Sequence, residues 1–172
     1  EMAKRKGLHK VFVQAFLDGR DVPPASALEY IYALEDKLKE LGTGKIASVG
    51  GRYWGMDRDK RWDRVEKHYS ALVMGDGLKA GSARQAVEES YKREETDEFV
   101  KPTVVAGEEG RPLGLINDGD SVIFFNFRAD RAREITRALV ESDFDSFPRP
   151  RWPEVYFVCM TQYDVTIPAP VA

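Results

Sequence analysis

Residues 11–24, VFVQAFLDGRDVPP, carry seven mostly apolar positions into an Asp-Gly-Arg-Asp turn and stop on two prolines. Valines and aromatics at Val11–Leu17 predict a strand buried in a sheet, and the prolines end it because each lacks the N–H a ladder needs. Ser26, followed three residues later by Glu29, is a capping-box pattern that opens a helix running through Leu41 and closed by Gly42. Leu28, Ile31, Leu34, Leu38 and Leu41 fall at three- and four-residue spacing and give this helix one apolar face.

The same alternation continues outward from this unit. Lys45–Val49 reads as a short strand, followed by a loop and a helix from about Arg61 to Met74. A further helix fits Ser82–Arg93. Thr103–Val105 and Leu113–Ile116, split by a glycine-rich turn, read as a hairpin. A strand from Ser121 to Phe127, a helix from about Ala129 to Ser142 and a last strand through Met160 complete the pattern. Strands alternating with helices predict a three-layer α/β/α domain, its mixed, largely parallel sheet covered by helices on both faces. Glu1–Gly7 reads as the closing turn of a helix and Ile167–Pro170 as a linker, so an inserted domain joined at both ends to another body is expected.

Composition narrows the function classes. The 172 residues suit one domain, able to bury roughly 70% of its unfolded surface. No apolar run approaches the roughly 18 residues of a membrane span. A net charge of −3 argues against a general nucleic-acid surface, which needs a clustered excess of Lys and Arg. Tyr53, Trp54 and Trp62 could stack bases beside arginine, but packing under a loop is the simpler expectation for them. The single cysteine, Cys159, sits in an apolar run; it excludes an internal disulfide and fits a reducing cytoplasm. Neither His9 nor His68 has a second ligand at metal spacing.

In a sheet of this kind, ligands bind outside the carboxyl ends of the strands. Three predicted strand ends present Arg20 and Asp21, then Arg52 and Arg58, then Arg128 and Arg131. The glycines beside the first two allow positive φ and close approach to a ligand. Arg128 and Arg131, three apart, are expected in the first turn of a helix, where backbone N–H groups and the dipole favour an anion. Asp57, Asp59 and Asp130 lie among the arginines and could neutralise them as surface pairs, each worth at most ~1 kcal/mol. Cations placed where a helix dipole opposes them nevertheless point to an anionic ligand, and a phosphate fits best.

AFLDGRDVPP, VGGRYWGMDRDKRWDR and FFNFRADRAREI resemble, in order and spacing, the substrate-binding domain of the cofactor-independent (2,3-bisphosphoglycerate-independent) phosphoglycerate mutases. The resemblance implies that residues 1–172 form one substrate-binding domain inserted in an alkaline-phosphatase-like domain of the same parent protein. It implies that Arg20, Arg52, Arg58, Arg128 and Arg131 hold the phosphate and carboxylate of 3-phosphoglycerate or 2-phosphoglycerate, and that Asp21 contacts the glycerate hydroxyls and assists proton transfer. It further implies a cytoplasmic, monomeric isomerase of glycolysis and gluconeogenesis that engages neither nucleic acid nor membrane. The phosphorylated serine and two Mn2+ ions belong to the other domain, so no cofactor is expected on this chain, which alone should be inactive. Five guanidiniums and one carboxylate would match the substrate's charge of about −3 to within about one unit. A non-catalytic phosphometabolite-binding module is the alternative; it would keep the arginines without needing Asp21.

Overall fold

In the computed structural model every residue from Glu1 to Ala172 is described, except the side chain of Glu108. In chain order the helices and strands are α1 (Met2–Arg5), β1 (Phe12–Leu17), α2 (Ala27–Leu41), β2 (Lys45–Gly51), α3 (Arg52–Gly55), α4 (Trp62–Val73), β3 (Leu78–Ala80), α5 (Ala83–Lys92), β4 (Thr103–Val105), β5 (Ser121–Phe124), α6 (Arg133–Val140) and β6 (Tyr156–Cys159). β1 runs parallel to β2 with Leu17 opposite Gly51, β4 is antiparallel to β2 and parallel to β3, and the order is β1-β2-β4-β3. β5 and β6 pair in parallel as a second sheet. The architecture is α/β with mixed, largely parallel pairing.

Two apolar cores explain why these elements hold. Val13, Ala15 and Leu17 of β1 pack with Ile31 of α2 and Ala83, Ala86 and Val87 of α5. Phe16, pointing the other way as strand alternation requires, joins Val65, Tyr69 and Leu72 of α4, Ile135 and Leu139 of α6, and Phe124 and Phe157. Helices therefore cover β1 on both sides. β5 and the loop after it depart from that expectation, because Ile123 of β5 and Phe125 and Phe127 beyond it face outward and are 53%, 71% and 66% exposed.

Several boundaries move for physical reasons. The hairpin reduces to β4 plus a loop: Gly107 donates to the Arg111 carbonyl and Leu113 to that of Val105, but Leu113–Ile116 forms no strand. The partner of β4 is instead β3, a three-residue strand in a polar stretch without strand periodicity. The Ser26–Glu29 capping box is absent; the Ser26 hydroxyl donates to the Pro23 carbonyl, and Asp97 Oδ2 accepts the Ser26 and Ala27 amides at 2.9 Å each. A distant carboxylate has taken over the cap. The β5 strand ends at Phe124 rather than Phe127, and α6 starts at Arg133, not near Ala129. Carbonyls of Asn126 and Phe127 accept from Tyr163 and Thr161 hydroxyls, which hold this stretch as a loop. The Ile167–Pro170 tail folds back beside β6, with Ile167 buried and Cys159 donating to the Pro170 carbonyl.

His68 of α4 is fully buried, stacked on Phe16 at 4.5 Å, and its Nδ1 has no hydrogen-bond partner among the described residues. Gly50 and Gly55 leave it room, since a Cβ on either would overlap its ring. Burial pushes the imidazole down to about 3. Below pH ~6.5 an unfolded histidine takes up a proton that the folded one refuses, so this stability is complete above pH 6.5 and drains as pH falls. Between pH 6 and 4.5 the loss should be about 1–2 kcal/mol. Denaturant unfolding of His68→Gln, which cannot charge, should show a shallower acid slope than the parent; parallel slopes would sink the argument.

Candidate functional site

The site is assembled where β1 and β2 end and where the loop between β5 and α6 passes over them. Asp18 closes β1 as a turn: its Oδ1 accepts the backbone N–H of Arg20 at 3.2 Å and of Asp21 at 3.3 Å. Gly19 takes φ +70°, and a Cβ there would stand 2.8 Å from the Glu98 amide nitrogen, so only glycine fits comfortably. Gly51 is confined for a different reason, since a Cβ would overlap the Glu98 carbonyl. Glycines expected to admit a ligand thus admit the protein's own 97–99 turn.

Arg52, first residue of α3, is 7% exposed, and its Nη1 donates both to Asp18 and, at 3.0 Å, to Asp21 Oδ2. Burial works against its charge, but its hydrogen bonds to Asp18 and Asp21 outweigh it and hold the guanidinium above its usual range. Its Nε is buried without a partner among the described residues. Arg128 Nη1 lies 4.0 Å from the same Asp21 oxygen, and its Nε lies 3.0 Å from Asp130. Asp130 also accepts from Arg58 Nη1 at 2.8 Å. Burial would raise the Asp130 carboxyl, yet the Arg58 bond and the Arg128 charge hold it below the usual range.

Arg131 donates from Nη1 to the Met56 carbonyl at 2.8 Å, and its buried Nε has no partner among the described residues. Burial, then the charges of Arg52 and Arg58, press its guanidinium below its ordinary value. Arg20 is the most peripheral: it is 66% exposed along its side chain and 3.7 Å from Glu98.

All six residues picked from the sequence therefore meet in one region, but two details of the expectation fail. Arg128 and Arg131 lie in the turn before α6, not in its first turn; Arg131 immediately precedes the N-cap, Ala132. And the guanidiniums face not one carboxylate but four, namely Asp18, Asp21, Glu98 and Asp130. Asp18 and Glu98 carried no signal beyond composition; only the fold brings Glu98 under Gly19. Asp57 is not a counter-ion for Arg58. It accepts the Asp59 and Arg61 amides at 2.9 Å each and leads the chain into α4.

The loop bearing Arg58 is anchored by Glu134, which accepts the Lys60 amide at 2.9 Å. Burial, reinforced by Asp57 and Asp59 against the Lys60 bond, raises the Glu134 carboxyl to about 7. The folded state then keeps a proton that the unfolded chain releases near 4.5, so stability falls as pH rises from about 4.5 to 7. Glu134→Gln should match the parent near pH 4.5 and exceed it by about 1–2 kcal/mol at pH 8. Equal stability at pH 8 would contradict the protonated carboxyl.

The aromatics are packed rather than free. Tyr53 lies under Arg64, 3.8 Å from ring centre to guanidinium, Trp54 donates to the Phe99 carbonyl at 3.1 Å, and Trp62 packs on Phe144. Cys159 is buried, and burial raises its thiol. No three His, Cys, Asp or Glu among the described residues are grouped as metal ligands. Among the described residues no helix is long and apolar enough to cross a membrane.

The profile of the family described as BPG-independent PGAM N-terminus matches residues 1–165. A 2,3-bisphosphoglycerate-independent phosphoglycerate mutase of Desulforudis audaxviator is 59% identical over 100% of this chain and 34% of its own length. That of Moorella thermoacetica is 57% identical over 100% of the chain and 34% of its own length. A crystal structure of Leishmania mexicana phosphoglycerate mutase at low cobalt concentration superposes with a TM-score of 0.89 at 38% identity, covering 92% of this chain and 30% of that one. The chain spans about a third of the length of these relatives.

Proposed function

The chain belongs to the family of BPG-independent phosphoglycerate mutase N-terminal regions, and from that premise we propose that it is the substrate-binding part of a mutase interconverting 3-phosphoglycerate and 2-phosphoglycerate. The observation carrying this reading is the convergence of Arg52, Arg58, Arg128 and Arg131 around Asp21 and Asp130. Guanidiniums present paired N–H donors that suit both a phosphate and a carboxylate.

The charge balance sets how binding proceeds. Five guanidiniums against four carboxylates leave a small positive excess, so a trianionic substrate must displace resident carboxylates from some arginines. Asp130 is the candidate to yield, because the two arginines it bridges are the half-exposed Arg58 and the exposed Arg128. Arg131 has two cationic neighbours and a buried Nε without a partner among the described residues. An anion there would relieve the repulsion. Asp21, exposed and facing the same space, suits the glycerate hydroxyls, accepting a proton from one and returning it to the other as the phosphoryl group changes position. The phosphoryl acceptor itself is assigned to the part of the parent protein outside these residues, as the resemblance implies.

Titrating the chain with 3-phosphoglycerate, observed through arginine Nε–Hε NMR signals, should move Arg58, Arg128 and Arg131 together at weak affinity. A response confined to another patch, such as Arg137 and Arg149, would refute the assignment.

A further inference from the structure

We infer that Asp18 is a positioning residue that sets the catalytic geometry of Asp21 through Arg52, an inference that rests on the role proposed for Asp21 above. A single oxygen, Asp18 Oδ1, takes three donors: the Arg20 amide, the Asp21 amide and Arg52 Nη1. The same Arg52 nitrogen donates to Asp21 Oδ2 at 3.0 Å. Asp18 thus grips Asp21 twice, by its backbone N–H and, across the guanidinium, by its carboxylate.

The burial pattern gives the relay its direction. The Arg52 side chain is 8% exposed and Asp21's is 67% exposed, so the fixed member is the guanidinium and the dependent one is the Asp21 carboxylate. The Gly51 N–H donates to the Val100 carbonyl at 2.8 Å and anchors the backbone just before Arg52. Without the Asp18 charge, Arg52 keeps one carboxylate partner and turns fully onto Asp21, drawing that group away from a bound hydroxyl.

Asparagine separates the two tasks of Asp18. Its carbonyl still accepts the Arg20 and Asp21 amides and preserves the turn, but it offers no charge to Arg52. A residue needed only for the turn would tolerate Asp18→Asn. A positioning residue would not. In the intact mutase carrying this chain, Asp18→Asn should lower kcat by about 10- to 100-fold, the scale of a small misplacement of a reacting group, while KM for 3-phosphoglycerate stays within about threefold.

The decisive measurement is the double variant, because residues acting in one chain do not add. Asp18→Asn should cause little further loss once Asp21 is asparagine. Multiplying losses, or a wild-type kcat for Asp18→Asn, would overturn the inference. Should Asp21→Asn itself keep full kcat, the role given to Asp21 fails instead, and the relay is judged on the chain alone. There, slowly rotating Arg52 Nη protons seen by NMR in the parent and averaged in Asp18→Asn support it; their persistence in the variant overturns it.

Discussion

Replacing Asp21 by asparagine in the intact mutase is expected to lower kcat by ~10²–10⁴, the range for loss of a general acid–base group, while KM holds or falls. Asparagine keeps the size of the side chain and can still accept from Arg52 Nη1, which reaches Asp21 Oδ2 at 3.0 Å. On the role proposed for Asp21, it loses the capacity to take a proton from a glycerate hydroxyl and removes one negative charge beside the anionic substrate. Binding and turnover should therefore separate, with affinity retained and the chemical step slowed. The Asp21 carboxylate is exposed and, among the described residues, meets beyond Arg52 only the 4.0 Å approach of Arg128, so its replacement breaks no buried packing. Steady-state kinetics at saturating 3-phosphoglycerate settle the point. A near-wild-type kcat would leave Asp21 as an orienting partner for Arg52 and nothing more.

What could be read in the sequence was whatever is encoded locally. The strand over Val11–Leu17, the helix closed by Gly42 in a left-handed turn and the helix capped by Ser82 are set by periodicity and by end residues, and they appear nearly where expected. The strand-end rule located the arginines for the same reason, since it depends only on where strands stop. Features settled by distant partners were out of reach. Asp97 caps α2 from about seventy residues away, Glu98 slides under Gly19 and Gly51, and Tyr163 holds the loop that would otherwise have begun α6. The expected first-turn placement of Arg128 and Arg131 gives way to a turn that ends at the N-cap Ala132, and their approach to Arg52 and Arg58 follows from position along the chain. β3 shows the limit from the other side, because three residues beside a partner strand need no pattern of their own.

Arg131→Ala is expected to weaken 3-phosphoglycerate binding by about 2–4 kcal/mol, roughly 30- to 1000-fold, following the loss of a desolvated charge-assisted contact. In the free protein this guanidinium is poorly compensated. Burial and the charges of Arg52 and Arg58 press it below its usual range, its Nε is buried without a partner among the described residues, and its one recorded hydrogen bond goes to the neutral Met56 carbonyl. On the proposed role a bound anion supplies what is missing, so truncating Arg131 removes a half-buried donor whose charge the free protein compensates poorly. Arg20→Ala is the internal comparison: Arg20 is exposed and already 3.7 Å from Glu98, so its loss should cost about 1 kcal/mol or less. Thermal melting of each variant keeps binding apart from folding, because removing Arg131 also frees the Met56 carbonyl while relieving repulsion at Arg52 and Arg58. Calorimetric titrations that rank Arg20 above Arg131, with both variants melting like the parent, would place the anion at the rim of the cluster instead of between Arg131, Arg52 and Arg58.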